Sequence, residues 1–116
     1  MNFDEYQGLA RRTQNSRLTE HERLMHALHG LSAEVGEIHG LYQHVYQGGR
    51  LITEEVVGEL GDLLWFAGEL CDVLRISMDD VAEKNIRKLR RRYPQGFDAE
   101  RSEKRHTFGE DGGGEC

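Results

Sequence analysis

The chain has 116 residues, with 21 acidic residues, 15 lysines and arginines and a formal net charge of −6. This length suggests one domain that can bury a hydrophobic core. The acidic balance argues against a nucleic-acid partner bound through phosphate contacts. No apolar stretch is long enough to span a membrane, and the N-terminus lacks the apolar core of a signal peptide. With two cysteines, Cys71 and Cys116, that do not resemble a disulfide framework, a cytoplasmic location is expected.

The first half of the chain is predicted to form two helices. The first runs from about Phe3 to Thr13 and carries apolar residues on one face. The second opens at Thr19, where Glu22 three residues later completes a capping-box pattern. Its apolar stripe has helical spacing and consists of Leu24, Leu28, Leu31, Val35, Ile38, Leu41 and Val45. The glycines at 48 and 49 predict a loop after it.

Two further helices are predicted in the second half. One starts at Thr53, with acidic residues in its first turn, and is apolar all round from Leu63 to Ala67, which predicts burial from several directions. The next begins after Ser77, an N-cap candidate, and ends at the Tyr93-Pro94 pair. The sequence therefore predicts an all-α fold, with a four-helix module over residues 1–98 and a flexible C-terminal tail over residues 99–116.

Two acidic pairs carry most of the functional information. Glu34 and Glu37 lie three residues apart in the second predicted helix, and Glu59 and Asp62 have the same spacing in the third. Residues at this spacing share one helix face, and apolar neighbours place these carboxylates close to a buried surface. Four carboxylates there repel one another and lose hydration unless a cation compensates. An all-oxygen ligand set suits Mg²⁺ or Mn²⁺.

Glycines and a third acidic pair accompany these motifs. Inside a helix a glycine costs roughly 1 kcal/mol relative to alanine. The three beside the acids therefore indicate close approach of helices or room for a ligand; they are Gly36, Gly58 and Gly61. Glu69 and Asp72 repeat the spacing, but Glu69 lies about 10 Å along the helix from Asp62. That distance is too long for a shared metal, so the third pair is interpreted as solvent-facing or part of an interface.

The histidines do not predict a zinc or di-iron site. His21 and His26 are five residues apart, which places the imidazoles about 140° apart around a helix. No cysteine or further histidine cluster completes a zinc site, and no glutamate of the four predicted helices has a histidine three residues later, as di-iron bundles require. No nucleophile or phosphate-loop motif is present, so an enzyme of this sequence would use a metal-activated water.

A basic segment from Lys84 to Arg92 closes the fourth predicted helix. One interpretation is a cationic helix C-terminus favoured by the helix dipole. The other is phosphate binding, because Lys84 and Lys88 share a face and Asn85 lies next to it.

Together these motifs resemble the MazG-like, all-α nucleotide pyrophosphohydrolases. The resemblance covers about residues 3 to 98 and rests on three ordered segments: Gly30-Leu31-Ser32-Ala33-Glu34-Val35-Gly36-Glu37, Glu59-Leu60-Gly61-Asp62-Leu63-Leu64-Trp65-Phe66 and Lys84 to Phe97. It implies a homodimer or homotetramer that cleaves (d)NTPs to the monophosphate and pyrophosphate with Mg²⁺ or Mn²⁺.

The resemblance also implies roles for individual residues. The metal ligands and catalytic carboxylates would be Glu34, Glu37, Glu59 and Asp62. Lys84, Asn85, Lys88 and Tyr93 match positions near the phosphates, and Phe66 matches an aromatic residue that contacts the substrate. Tyr6 and Gln7 are weaker candidates for the base pocket. The alternative from another class is a non-catalytic helical protein that binds nucleotide or a partner without turnover.

Overall fold

The structure, a computed structural model, describes residues 1–108, with side chains described for residues 1–105. The helices of this range are α1 (Phe3–Arg11), α2 (Glu20–Tyr46), α3 (Thr53–Leu74), α4 (Met78–Arg92) and α5 (Ala99–Phe108), and the range contains no strand. The predicted all-α fold is confirmed. Among these helices, none is both long and apolar enough to cross a bilayer.

The starts of the two long helices follow the predicted signals. At α2, Thr19 Oγ1 accepts a 3.1 Å hydrogen bond from the Glu22 backbone N–H, and Glu22 Oε1 accepts a 2.9 Å bond from the Thr19 N–H. This reciprocal pair is the predicted capping box. After α2, Gly48 has a φ of +93°, a conformation that residues with a Cβ rarely adopt. The turn that leads to α3 therefore depends on this glycine.

The chain divides into two compact units, residues 1–78 and the part from Asp79 onward. In the first unit, α2 and α1 both pack against α3. The pairing of His26 with Glu69, together with the closeness of Glu34 to Glu59, shows that α2 and α3 run antiparallel. Its most buried apolar side chains are Ala27, Cys71, Val73 and Met78. Residues 63–67, predicted to be buried from several directions, are only half-buried.

The second unit contains a helix that the sequence analysis did not predict. Residues 99–108 form α5, so the described chain has five helices and not four. Asp98 Oδ1 accepts hydrogen bonds from the backbone N–H groups of Glu100 (3.0 Å) and Arg101 (3.3 Å). This is the capping that starts a helix. Residues 109–116 lie outside the described residues, and the predicted domain boundary at residue 98 stays a prediction.

Candidate metal centre

Three of the predicted ligands meet between α2 and α3. One carboxylate oxygen each from Glu34, Glu59 and Asp62 lies within 4.8 Å of the other two. The i, i+3 spacing puts Glu59 and Asp62 on one face of α3, and antiparallel packing brings Glu34 of α2 opposite them. Glu34 and Glu59 are half-buried and Asp62 is exposed, so the group opens toward solvent.

The electrostatics of this group favour a cation. A hydrogen bond with Glu59, partial burial and repulsion by the neighbouring carboxylates raise the pKa of Glu34 to about 7. Glu34 Oε2 is also buried, with no hydrogen-bond partner among the described residues. A buried oxygen left without a partner is costly, and a cation is the partner that also relieves the repulsion. The donor set therefore fits a hard divalent ion.

Glu37 lies outside the three-carboxylate group, on the exposed surface of α2. Its charge still contributes to the raised pKa of Glu34. The structure thus brings three of the four predicted ligands together and leaves the fourth beside them. Coordination by any of the four remains a prediction.

The glycines beside these acids do not mark a close approach of helices. A Cβ built at Gly36, Gly58 or Gly61 would meet nothing within 4 Å. Of the two alternatives predicted for these glycines, close approach of helices is wrong, and the structure shows open space beside the carboxylates. The close approach occurs instead at Gly30, where a Cβ would lie 2.2 Å from the Phe66 ring.

The two base-pocket candidates on α1, Tyr6 and Gln7, lie in different surroundings. Tyr6 lies close enough to Asp62 for the charge of that carboxylate to act on its hydroxyl. Burial first, and then the charge of Asp62, raise the pKa of Tyr6. Gln7 is buried, and its amide donates to Asp72 Oδ1 and to the Ile76 carbonyl while accepting from the Met78 N–H. With these bonds made, Gln7 has a structural role and is not available to a base.

The predicted phosphate-binding residues lie in the second unit. Lys84 and Asn85 are exposed on α4, and Lys88 is half-buried. Tyr93 follows α4, and its ring packs on Phe97 with centroids 5.5 Å apart. A hydrogen bond with Ser102 of α5 is the main reason that the pKa of Tyr93 is lowered. The tyrosine is therefore anchored within this unit.

The third acidic pair was interpreted from the sequence as solvent-facing or part of an interface, and the structure excludes the solvent-facing alternative. Glu69 is 1% exposed and pairs with His26. Asp72 accepts hydrogen bonds from Gln7 (2.8 Å), Gln14 (2.5 Å) and Arg11 (2.8 Å). Burial alone would raise the pKa of Asp72, but these donors hold it below its ordinary value. Both acids face inward because their partners come from α1, α2 and the segment that joins them.

The described part of the chain is all-helical and brings three carboxylates together between two antiparallel helices, α2 and α3. A family model of the MazG nucleotide pyrophosphohydrolase domain matches residues 20–97, and the chain belongs to this family. The chain is also similar to the Gene 37 protein of Mycobacterium phage L5, at 30% identity over 80 residues, which cover 65% of this chain and 70% of the phage protein. No solved structure matches the chain significantly.

Proposed function

We propose that the protein is a metal-dependent nucleoside triphosphate pyrophosphohydrolase that converts a (d)NTP and water into the (d)NMP and pyrophosphate. The observation that carries this proposal is the meeting of Glu34, Glu59 and Asp62 between α2 and α3 in a chain of the MazG family. A triphosphate is strongly anionic, so these carboxylates would repel it without an intervening cation.

We propose Mg²⁺ or Mn²⁺ as the cation, held by these three residues with Glu37 beside them. When bound, it supplies charge neutralisation, polarisation of phosphoryl oxygens and a lower pKa for water. One carboxylate of the set accepts a proton from the attacking water. The water oxygen bonds to the α-phosphorus, the bond from that phosphorus to the bridging oxygen breaks, and pyrophosphate leaves with that oxygen.

The other predicted site residues are proposed to hold the nucleotide. Lys84, Asn85 and Lys88 of α4 supply positive charge and hydrogen-bond donors that suit phosphate oxygens. Tyr93 lies at the end of the same segment. Phe66 is proposed to contact the substrate one turn beyond Asp62.

The test of this function is product analysis. The full chain is incubated with a mixed panel of NTPs and dNTPs and Mg²⁺ or Mn²⁺, and the products are separated. We expect one monophosphate and one pyrophosphate per turnover, with activity lost on chelation and in Glu59→Gln. Orthophosphate as the only inorganic product, or no turnover across the panel, would contradict the proposal. Binding without turnover would instead favour the non-catalytic alternative.

A homodimer or homotetramer is proposed as the working form. The surfaces of α2 and α3 expose large apolar side chains, among them Val35, Tyr42, Val45, Val57 and Leu60. We propose that these side chains form the interface between copies of the chain. Light scattering at micromolar concentration should give at least twice the 13.3 kDa chain mass. A single-chain mass would contradict the proposal.

A further inference from the structure

The most deeply buried large side chain is an acid that the metal centre does not use. Glu69 of α3 is 1% exposed, and its Oε1 lies 2.6 Å from Nδ1 of His26 on α2. Its Oε2 is buried, with no hydrogen-bond partner among the described residues. A buried carboxylate paired with a histidine gives little stability relative to apolar residues of the same size. The arrangement therefore points to a task for the histidine that Glu69 holds.

The His26 side chain is 47% exposed although Nδ1 is held by a buried carboxylate. Nε2 is the ring nitrogen that Glu69 does not hold, and we infer that it lies in the exposed part. Two aromatic rings flank the imidazole, Phe66 with its centroid at 5.4 Å and Trp65 at 6.2 Å. The cluster combines one polar atom with aromatic surface, which is the composition that recognises a planar heterocycle.

The His26 cluster lies on the same helix pair as the carboxylates. His26 precedes Glu34 by eight residues on α2, about 12 Å along the helix axis. Glu69 follows Asp62 by seven residues on α3, about 10 Å along that axis. These separations are comparable with the distance between the base and the phosphates of an extended nucleotide. A nucleotide with its phosphates at the carboxylates can therefore reach His26 with its base.

The hydrogen bond to Glu69 sets the chemical character of Nε2. An ionised carboxylate only accepts hydrogen bonds, so the proton lies on Nδ1. In the neutral ring Nε2 is then an acceptor. An acceptor at this place receives a hydrogen bond from an exocyclic amino group, as in cytosine or adenine. It is repelled by the carbonyl oxygen that uracil or thymine carries at the equivalent position.

We propose that His26, oriented by Glu69 and flanked by Trp65 and Phe66, is the base-recognition site and selects nucleotides whose base, like cytosine or adenine, carries an amino group where uracil and thymine carry a carbonyl oxygen. This inference rests on the proposed function and adds the substrate class to it. His26 contacts the base, and Glu69 is a positioning residue that acts through His26.

The proposal is tested by equilibrium binding, with Trp65 as the reporter. It is the only tryptophan of the chain, so its fluorescence reports on this cluster. The full chain is titrated with dCMP, dAMP, dTMP and dUMP, with correction for absorption by the bases. We expect dCMP and dAMP to bind about tenfold more tightly than dTMP and dUMP, since one partly exposed hydrogen bond is at stake.

Three variants separate recognition from folding. His26→Ala should remove the preference by weakening dCMP and dAMP alone. Glu69→Gln should reduce it as well, because an amide either accepts from Nδ1 or donates to it, so both tautomers of His26 become available. His21→Ala, which removes an imidazole about 140° around α2, should leave the preference unchanged. Melting temperatures check that each variant is folded.

The outcomes distinguish this proposal from the proposed function. Equal binding of the four monophosphates, no fluorescence response, or a preference retained in both His26→Ala and Glu69→Gln overturns base recognition by His26. Pyrophosphate release without base preference leaves the enzymatic function standing and removes this inference. A binding preference lost in both variants, in a chain that releases no pyrophosphate, supports the base site and overturns the enzymatic function.

Discussion

Glu34 and Glu59, on neighbouring antiparallel helices, share a hydrogen bond between two side chains that each ordinarily carry a negative charge. That bond, with partial burial and the surrounding acids, raises the pKa of Glu34 from 4.5 to about 7. In the metal-free protein this proton relieves part of the repulsion between the carboxylates, and the cation is proposed to relieve the same repulsion when it is bound.

The first prediction follows from this raised pKa. The folded state binds the Glu34 proton more tightly than the unfolded state, so the resulting stabilisation is fully present below pH 4.5 and is lost as the pH rises through about 7. In metal-free protein, the melting temperature of the wild type relative to Glu34→Gln should therefore fall across this window. Thermal melts of both proteins with chelator check it. A difference that stays constant with pH would contradict the assignment.

Short-range signals made much of the fold predictable. The capping box of Thr19 and Glu22 needs only residues three apart, and the structure contains it as predicted. The contact of Glu69 with His26 joins residues 43 apart and depends on the register of two packed helices. No spacing within one helix reveals such a register, so the sequence placed Glu69 at a surface. The start of α5 did have a local signal in Asp98, but the polar composition beyond it outweighed that signal.

The second prediction compares two aspartates of α3. Asp62→Asn should lower turnover by more than about a hundredfold. This exceeds the loss expected when the mutated residue only positions a metal ligand and does not itself bind the metal. Asp72→Asn should leave turnover per folded molecule largely intact, because Asp72 lies about 15 Å from Asp62 along the helix. Asp72→Asn should also lower the free energy of unfolding by about 1–3 kcal/mol, because it weakens the hydrogen bonds from Arg11, Gln7 and Gln14.

Kinetics and melting of the two aspartate variants check this comparison. The Mg²⁺-induced rise in melting temperature should shrink in Asp62→Asn and persist in Asp72→Asn. Wild-type protein should also lose stability in acid as Asp72 becomes protonated, because its pKa is lowered in the folded state. If Asp72→Asn abolishes turnover while Asp62→Asn retains it, the active site has been placed on the wrong pair.

The third prediction concerns the basic segment of α4. Lys88→Ala should raise KM for the triphosphate more than it weakens Mg²⁺ binding, because the ammonium group is proposed to face phosphate. A charge-assisted contact of this kind contributes roughly 1.5–3 kcal/mol. The matched control is Lys104→Ala, which removes an exposed lysine from α5. Unchanged kinetics in Lys88→Ala would mean that the segment is only a cationic helix end.

The last prediction uses two glycines of α2 that differ only in their surroundings. A Cβ at Gly30 would lie 2.2 Å from the Phe66 ring, whereas a Cβ at Gly40 would meet nothing within 4 Å. Gly30→Ala should therefore destabilise the protein by about 1–3 kcal/mol, the usual cost of overpacking. Gly40→Ala should stabilise it by up to about 1 kcal/mol, because alanine is the better helix former.

Urea unfolding of the two glycine variants measures both effects, and the nucleotide titration of Gly30→Ala adds a second result. Relief of the clash requires a shift of the Phe66 ring or of the helix backbone, and the ring packs against both His26 and Trp65. The shift should therefore weaken dCMP binding together with stability, whereas Gly40→Ala should leave dCMP binding unchanged. Equal stability changes in the two variants would show that Phe66 does not pack against Gly30 as the structure places it.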